Sequence, residues 1–289
     1  MDMNGKIVLI TGATNGIGKV TAQVLARQGA RVLLVSRDAG RLEATVSEIK
    51  AATGSDTLET YQADLSLMAD VRRVADEVRA KHKVIDVLVN NAGAIFTERK
   101  MTSEGLEMTF ALNHMSYFLL TNLLLESVKA APEGRIVNVS SEAHRYGRVN
   151  FDDLQSTARF GGMNVYGTSK LMNILFSNAL ARRLEGTHAT SNALHPGVVA
   201  TGFAQGTGSS GIWKFVFGIL RFIPGAMITP EQGAATTILL ASGDAVRGIS
   251  GAYWSNQKIT KAASAALDKD VQERLWTESA RIAGLEGNA

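Results

Sequence analysis

Cysteine is absent from the chain. That excludes disulfide frameworks, cysteine-based zinc sites and thiol catalysis. Proline is nearly absent: 4 residues (Pro132, Pro196, Pro224, Pro230) against 28 glycines among 289, which excludes collagen-like and proline-rich scaffolds. No uninterrupted apolar run reaches the ~18 residues of a membrane span. The opening stretch Met1-Asp2-Met3-Asn4-Gly5-Lys6 runs straight into a strand, with no secretory hydrophobic region, so a cytoplasmic protein is expected. Charge of one sign is also scarce. The net charge is +3, and the densest basic groups (Arg72-Arg73, Lys81-His82-Lys83, Arg182-Arg183) are scattered rather than gathered into a nucleic-acid-binding stripe. His114, His144 and His195 lack metal-ligand spacing, and no metal site is expected.

What is present suits one domain with a sizeable core: 45% hydrophobic and 20% charged residues. Short apolar runs alternate with segments of helical period. Strands are expected at Ile7–Ile10, Arg31–Val35, Leu58–Gln62, Val84–Asn90, Arg135–Ser140 and Thr190–His195, with a final one at Gly251–Trp254. Helices are expected from Ile17, from the end of the second strand to Lys50, over Val71–Lys81, as two segments within Met101–Ala131, and over Tyr166–Leu184. Strands apolar throughout and separated by helices imply a parallel sheet covered on both faces. Right-handed crossovers make it a Rossmann-type, doubly wound α/β fold.

The first strand ends in Thr11-Gly12-Ala13-Thr14-Asn15-Gly16-Ile17-Gly18. An Asn-Gly hairpin is the bland alternative, but helical period follows, not strand alternation. A strand, a glycine turn and a helix N-terminus together suit a dinucleotide pyrophosphate. A phosphate loop of the nucleotide-hydrolase type does not fit, because Ala13 stands where its first glycine belongs and Val20 follows Lys19. About 20 residues further on, NAD binders carry an acid for the ribose hydroxyls. Here Ser36-Arg37 occupies the end of the second strand, and a guanidinium beside a hydroxyl suits a 2′-phosphate, which selects NADP(H). Asp38, next in line, works against that choice.

Tyr166-Gly167-Thr168-Ser169-Lys170 puts a phenol and an ammonium at i and i+4 on one helix face. A neighbouring cation favours phenolate, which would lower the tyrosine pKa and suit Tyr166 to proton transfer with a carbonyl.

These pieces occur in a fixed order with Asp64-Leu65, Asn90-Asn91-Ala92-Gly93, Asn113, Ser140-Ser141 and Pro196-Gly197 to Thr201. In that order the chain resembles the short-chain dehydrogenase/reductase family over nearly its whole length. Ser36-Arg37-Asp38, Asn113-His114, Ser140-Ser141-Glu142-Ala143-His144 and His195-Pro196-Gly197 are similar to its retinol-dehydrogenase-like branch. The resemblance implies roles. Tyr166 is the proton donor, Lys170 lowers its pKa and holds the nicotinamide ribose, Ser141 binds the substrate carbonyl, and Asn113 shapes the active-site helix and supports a water relay to Lys170. Gly12, Asn15, Gly16, Ile17 and Gly18 take the pyrophosphate; Ser36 and Arg37 take the adenosine ribose. Asp64 and Leu65 flank the adenine, Asn91, Ala92 and Gly93 pass under the cofactor, and Pro196, Gly197, Val199 and Thr201 cover the nicotinamide.

A substrate lid is expected around 202–229. Gly206 to Gly211 reads as its hinge, and the apolar, aromatic segment Ile212 to Ile223 as its body; a membrane-surface helix and an ordinary packed helix are the competing readings of that segment. The expected function is NADP(H)-dependent interconversion of an apolar carbonyl compound and its alcohol. The alternative is a catalytically weak nucleotide-binding regulator of the same fold. Light-driven reduction of a tetrapyrrole is disfavoured, since that chemistry is associated with a site cysteine. Pairing of two copies through the helices around Asn113 and Tyr166 is a further expectation.

Overall fold

In the computed structural model, which describes residues 1–197 and 228–285, the apolar runs become strands of one sheet. Strands β1 (Ile7–Thr11), β2 (Arg31–Ser36), β3 (Leu58–Gln62), β4 (Val87–Asn90), β5 (Arg135–Val139), β6 (Thr190–His195) and β7 (Tyr253–Ser255) run parallel. A short β8 (Lys258–Ile259) turns back antiparallel on β7, and the order across the sheet is β3-β2-β1-β4-β5-β6-β7-β8. The order reverses between β1 and β4. That is where an open α/β sheet leaves a crevice beyond its strand ends.

Helices cover both faces. Helices α1 (Gly16–Arg27), α2 (Ala39–Thr53) and α6 (Pro230–Ser242) pack on one, where Val8, Ile10, Leu34, Val89 and Val137 meet Leu25, Ile49 and Leu240. Helices α3 (Met68–Lys81), α4 (Ser116–Lys129), α5 (Gly162–Arg183) and α7 (Lys269–Ala283) pack on the other, where Leu9, Leu33, Leu88 and Ile136 meet Val74, Phe118 and Ile174. Adjacent strand residues such as Leu9 and Ile10 feed opposite cores, which is why these strands lack polar alternation.

The stretch 101–131 departs from the two helices expected of it. Met101 pairs with Glu107 in an isolated antiparallel bridge, and Gly105 turns the chain between them. The helix starts only at Met108, because the buried Glu107 carboxylate accepts the N–H groups of Thr109 (2.9 Å) and Phe110 (2.8 Å). One α-turn (Met108–Phe110) passes into a π-turn (Ala111–Met115) and then α4. Glu104, in the turn, caps the N-terminus of α3 through Met68 and Ala69. Helix α5 begins four residues before Tyr166, and β4 begins at Val87 rather than Val84.

Helices α6 and α7 have no counterpart in the sequence reading. A capping box at Thr229 and Gln232, with Pro230 at the first helical position, starts α6. Helix α7 lies across α4 and α5. Trp276 stacks on Phe176 (ring centroids 5.8 Å apart) and meets Phe118 edge-on (5.0 Å), Arg183 lies over the Trp276 ring, and His114 pairs with Ser279. The chain's own last helix therefore covers part of the helices through which two copies were expected to pair. Val199, Thr201 and all of the expected lid except Ile228 and Thr229 lie outside the described residues. No described helix is long and apolar enough to cross a membrane.

Candidate active site

The glycine turn sits at the carboxyl end of β1, beside the point where the strand order reverses. Gly12 has φ +66°, and a Cβ there would lie 2.9 Å from the Ala92 backbone. At Gly18 a Cβ would lie 2.3 Å from the Gly12 carbonyl oxygen, so α1 rests directly on the turn. Asn15 starts α1 without a side-chain cap, and no acid stands in the first turn. The first N–H groups of α1 thus have no side-chain acceptor at the Ncap, which suits a pyrophosphate. Asn91 holds the neighbouring strand end: its side chain donates to the carbonyls of Thr11 (2.8 Å) and Gly12 (3.2 Å). Backbone N–H groups of Asn91 and Ala92 both donate to the Thr11 hydroxyl. Asn90, by contrast, points into the sheet toward Thr121 and Asn138.

At the adenosine end, the Ser36 hydroxyl pairs with that of Thr14 at 3.2 Å, and Arg37 is exposed beside it. Asp38 is turned away. Its carboxylate caps α2 by accepting Arg41 N–H (3.0 Å) and lies 3.5 Å from the Arg41 guanidinium. Asp64 is folded back on Ser66, accepting its N–H and hydroxyl at 3.0 and 2.7 Å. The Leu65 side chain is buried in the core, so only its main chain remains to flank an adenine.

The reactive groups come from α5 and the end of β5. The Lys170 ammonium is buried, donates to the Val139 carbonyl (3.0 Å), and lies 5.5 and 5.7 Å from the ring centroids of Tyr117 and Tyr166. Burial pushes its pKa down to about 7. Burial pushes Tyr166 up to about 12, and a hydrogen bond with Ser141 partly opposes this. The expected lowering of Tyr166 by Lys170 is therefore not what the fold produces. The Lys170 nitrogen lies 5.7 Å from the centre of the phenol ring, and the loss of water on burial dominates the tyrosine's ionisation. A tyrosine kept protonated at neutral pH remains a proton donor.

Asn113 occupies the π-turn, and its side chain is hydrogen-bonded through both its amide nitrogen and its oxygen. Its amide donates to the Ala94 carbonyl (2.9 Å) and Ser169 hydroxyl (3.0 Å), and its oxygen accepts Ala94 N–H (2.9 Å). A single π-turn within an α-helix often marks a functional site. Gly93 lies at the focus: a Cβ there would be 3.2 Å from both the Asn113 oxygen and the Lys170 nitrogen.

Ser141 begins a 3-10 turn (Glu142–Tyr146), and its hydroxyl accepts Ala143 N–H at 3.2 Å. The turn lies flat on α5, because a Cβ on Gly167 would be 2.6 Å from the Ala143 carbonyl oxygen and one on Gly147 2.5 Å from that of Gly167. That close approach brings Ser141 to Tyr166. Gly147, His144 and Tyr253 around this turn were missed as site residues; the Gly147–Gly167 contact is long-range and leaves no local pattern. Pro196 and Gly197 follow β6, and Gly197 has φ +95°. Among the described residues no cluster of potential metal ligands occurs.

Comparison with known proteins agrees with this geometry. The family model for short chain dehydrogenase matches residues 6–210. The chain is 39% identical to human (Homo sapiens) retinol dehydrogenase 14, spanning 98% of this chain and 88% of that protein, and 39% identical to human retinol dehydrogenase 13 (98% and 86%). Among solved structures, an uncharacterized protein from Mycobacterium Paratuberculosis superposes with TM-score 0.77 at 30% identity, covering 98% of this chain and 96% of that one. The RhlG/NADP active-site complex of Pseudomonas aeruginosa superposes with TM-score 0.69 at 28% identity, covering 87% and 94%. The chain belongs to the short-chain dehydrogenase/reductase family. Within it the chain falls in the retinol-dehydrogenase-like branch, and it is an NAD(P)-dependent oxidoreductase of alcohol and carbonyl groups.

Proposed function

We propose that the protein is an NADP(H)-dependent reductase of apolar carbonyl compounds. The observation that carries the reading is the convergence of Ser141 and Lys170 on Tyr166, with the Lys170 nitrogen beside Gly93. When bound, the nicotinamide supplies the hydride. The Tyr166 hydroxyl then protonates the carbonyl oxygen, and Ser141 donates a second hydrogen bond to it as negative charge gathers there. Lys170, with its pKa brought to about 7, can return a proton to Tyr166 near neutral pH.

Arg37 supports NADP(H). The carboxylate that would repel a 2′-phosphate, Asp38, is spent on capping α2 and pairs with Arg41, while Thr14, Ser36 and Arg37 remain at that end. An apolar substrate is supported by relatives named for retinol and by the aromatic sequence 212–223.

An oxidation screen of NADPH and NADH against retinal-like, steroid, aromatic and short aliphatic carbonyls tests this. NADPH should win by roughly tenfold or more, a difference of about 1.4 kcal/mol. Arg37→Asp should reverse the preference. Tyr166→Phe should abolish turnover while NADPH still binds; retained turnover would end the proposal.

A further inference from the structure

The peptide that follows Ser141 is gripped from both sides. Its carbonyl, that of Ser141, accepts the Nδ1–H of His144 at 2.7 Å. Its N–H, that of Glu142, donates to Nδ1 of His195 at 3.1 Å. We propose that His144 and His195 are positioning residues, a two-imidazole clamp that fixes this peptide plane and thereby aims the Ser141 side chain at the substrate oxygen. The proposal rests on the catalytic reading of Ser141 above and deepens it.

The geometry requires opposite tautomers. His144 must carry its proton on Nδ1, because its Nε2 accepts Ala263 N–H at 3.0 Å. His195 must carry its proton on Nε2, because its Nδ1 is an acceptor. Ser141 has extended backbone (φ −160°, ψ 157°), so the plane of the following peptide sets its ψ and the direction from which its hydroxyl approaches Tyr166. His144 is fully buried and meets Tyr253 of β7 edge-on, with ring centroids 4.9 Å apart. Through Ala263 it also ties the serine turn to the segment after β8, where Arg145 binds the Lys261 carbonyl at 2.9 Å. Two remote parts of the chain, β6 and the 260–264 segment, thus converge on one peptide bond.

Both rings must be neutral. A proton added to His195 would confront Glu142 N–H, and one added to His144 would confront Ala263 N–H. The groups facing the pair are Glu142 and Arg145 on the serine turn, Tyr253 on β7, Tyr166 beyond Tyr253, and each histidine for the other. Burial lowers the pKa of both rings below the ordinary 6.5, which keeps the clamp closed at neutral pH and opens it on acidification.

Asparagine separates this role from packing, because its amide can donate to Ser141 at position 144 or accept from Glu142 at position 195 without titrating. His144→Leu and His195→Leu should each lower kcat by up to about tenfold, the effect of one lost hydrogen bond, with the Kd for NADPH unchanged. The His144→Asn/His195→Asn double variant should recover most of kcat and lose the acid limb of the kcat–pH profile. In a Ser141→Ala background the leucine substitutions should change kcat by less than about twofold, since nothing is left to aim. Equal losses in both backgrounds, or an acid limb that survives the double asparagine variant, would overturn the clamp. Ring nitrogen chemical shifts of the wild-type protein check the two tautomers without any assay, and the opposite assignment at either histidine would also overturn it. Absence of wild-type turnover would count against the catalytic reading alone, while the shifts would still decide the clamp.

Discussion

Lys170 and Tyr166 sit one helical turn apart on α5, and burial drives their ionisations in opposite directions. Lys170 falls from 10.5 to about 7, and Tyr166 rises from 10.0 to about 12. The sign of the stability effect follows from proton counting. Between the folded and unfolded pKa values of Lys170 the unfolded chain binds more protons, so stability rises with pH across that window. Lys170→Met should remove on the order of 2 kcal/mol of this gain between ~pH 7 and ~pH 9, read as the difference between urea unfolding curves of variant and wild type. A slope unchanged by the substitution would mean that Lys170 is not buried as described. The identities of Tyr166, Lys170, Ser141 and Asn113 were legible in the chain because their order and spacing are distinctive. Their ionisation was not, because it depends on how much water Phe, Tyr and strand neighbours from distant positions exclude.

The glycine turn and α1 behave as one unit, since the helix rests on the turn without an intervening side chain. Gly18→Ala forces a methyl group to within 2.3 Å of the Gly12 carbonyl oxygen, which is backbone and cannot rotate aside. We expect the substitution to cost about 1–3 kcal/mol of stability. It should also weaken NADPH binding by roughly tenfold or more as the N–H groups of the turn shift, measured by fluorescence titration beside urea unfolding. This element was readable from its residues alone, since glycines between a strand and a helix have a local cause. The 101–115 stretch was not. Its apolar residues match helical spacing, but Glu107 caps the helix six residues late and Glu104 is drawn off to α3, a partner far away in sequence. The π-turn that presents Asn113 likewise has no local signature here; it accompanies the anchoring of Asn113 to Ala94 and Ser169.

Helix α7 closes one side of the molecule. Its Trp276 packs against both Phe118 of α4 and Phe176 of α5, which also touch each other, and Glu273, bound by Arg182 and Arg183, has its pKa held down to about 2. Trp276→Ala should cost about 3–5 kcal/mol, seen as a lower urea midpoint. Because Glu273 is half exposed, Glu273→Gln should cost far less, about 1 kcal/mol or below. Self-association must use surfaces other than the part of α4 and α5 that this helix occupies.

The apolar runs, their spacing and the order of the motifs were enough to specify a parallel sheet wound on both sides, a dinucleotide turn after its first strand, and a Tyr–Lys pair on a later helix. Hydrophobic period and glycine placement are local properties, and each acts within a few residues of itself. Tertiary packing alone decided that burial raises the pKa of Tyr166 and lowers that of Lys170, and that two histidines from different elements meet at the peptide after Ser141. Each of those outcomes depends on which distant groups displace water or supply a hydrogen-bond partner, and that is settled only when the chain has folded.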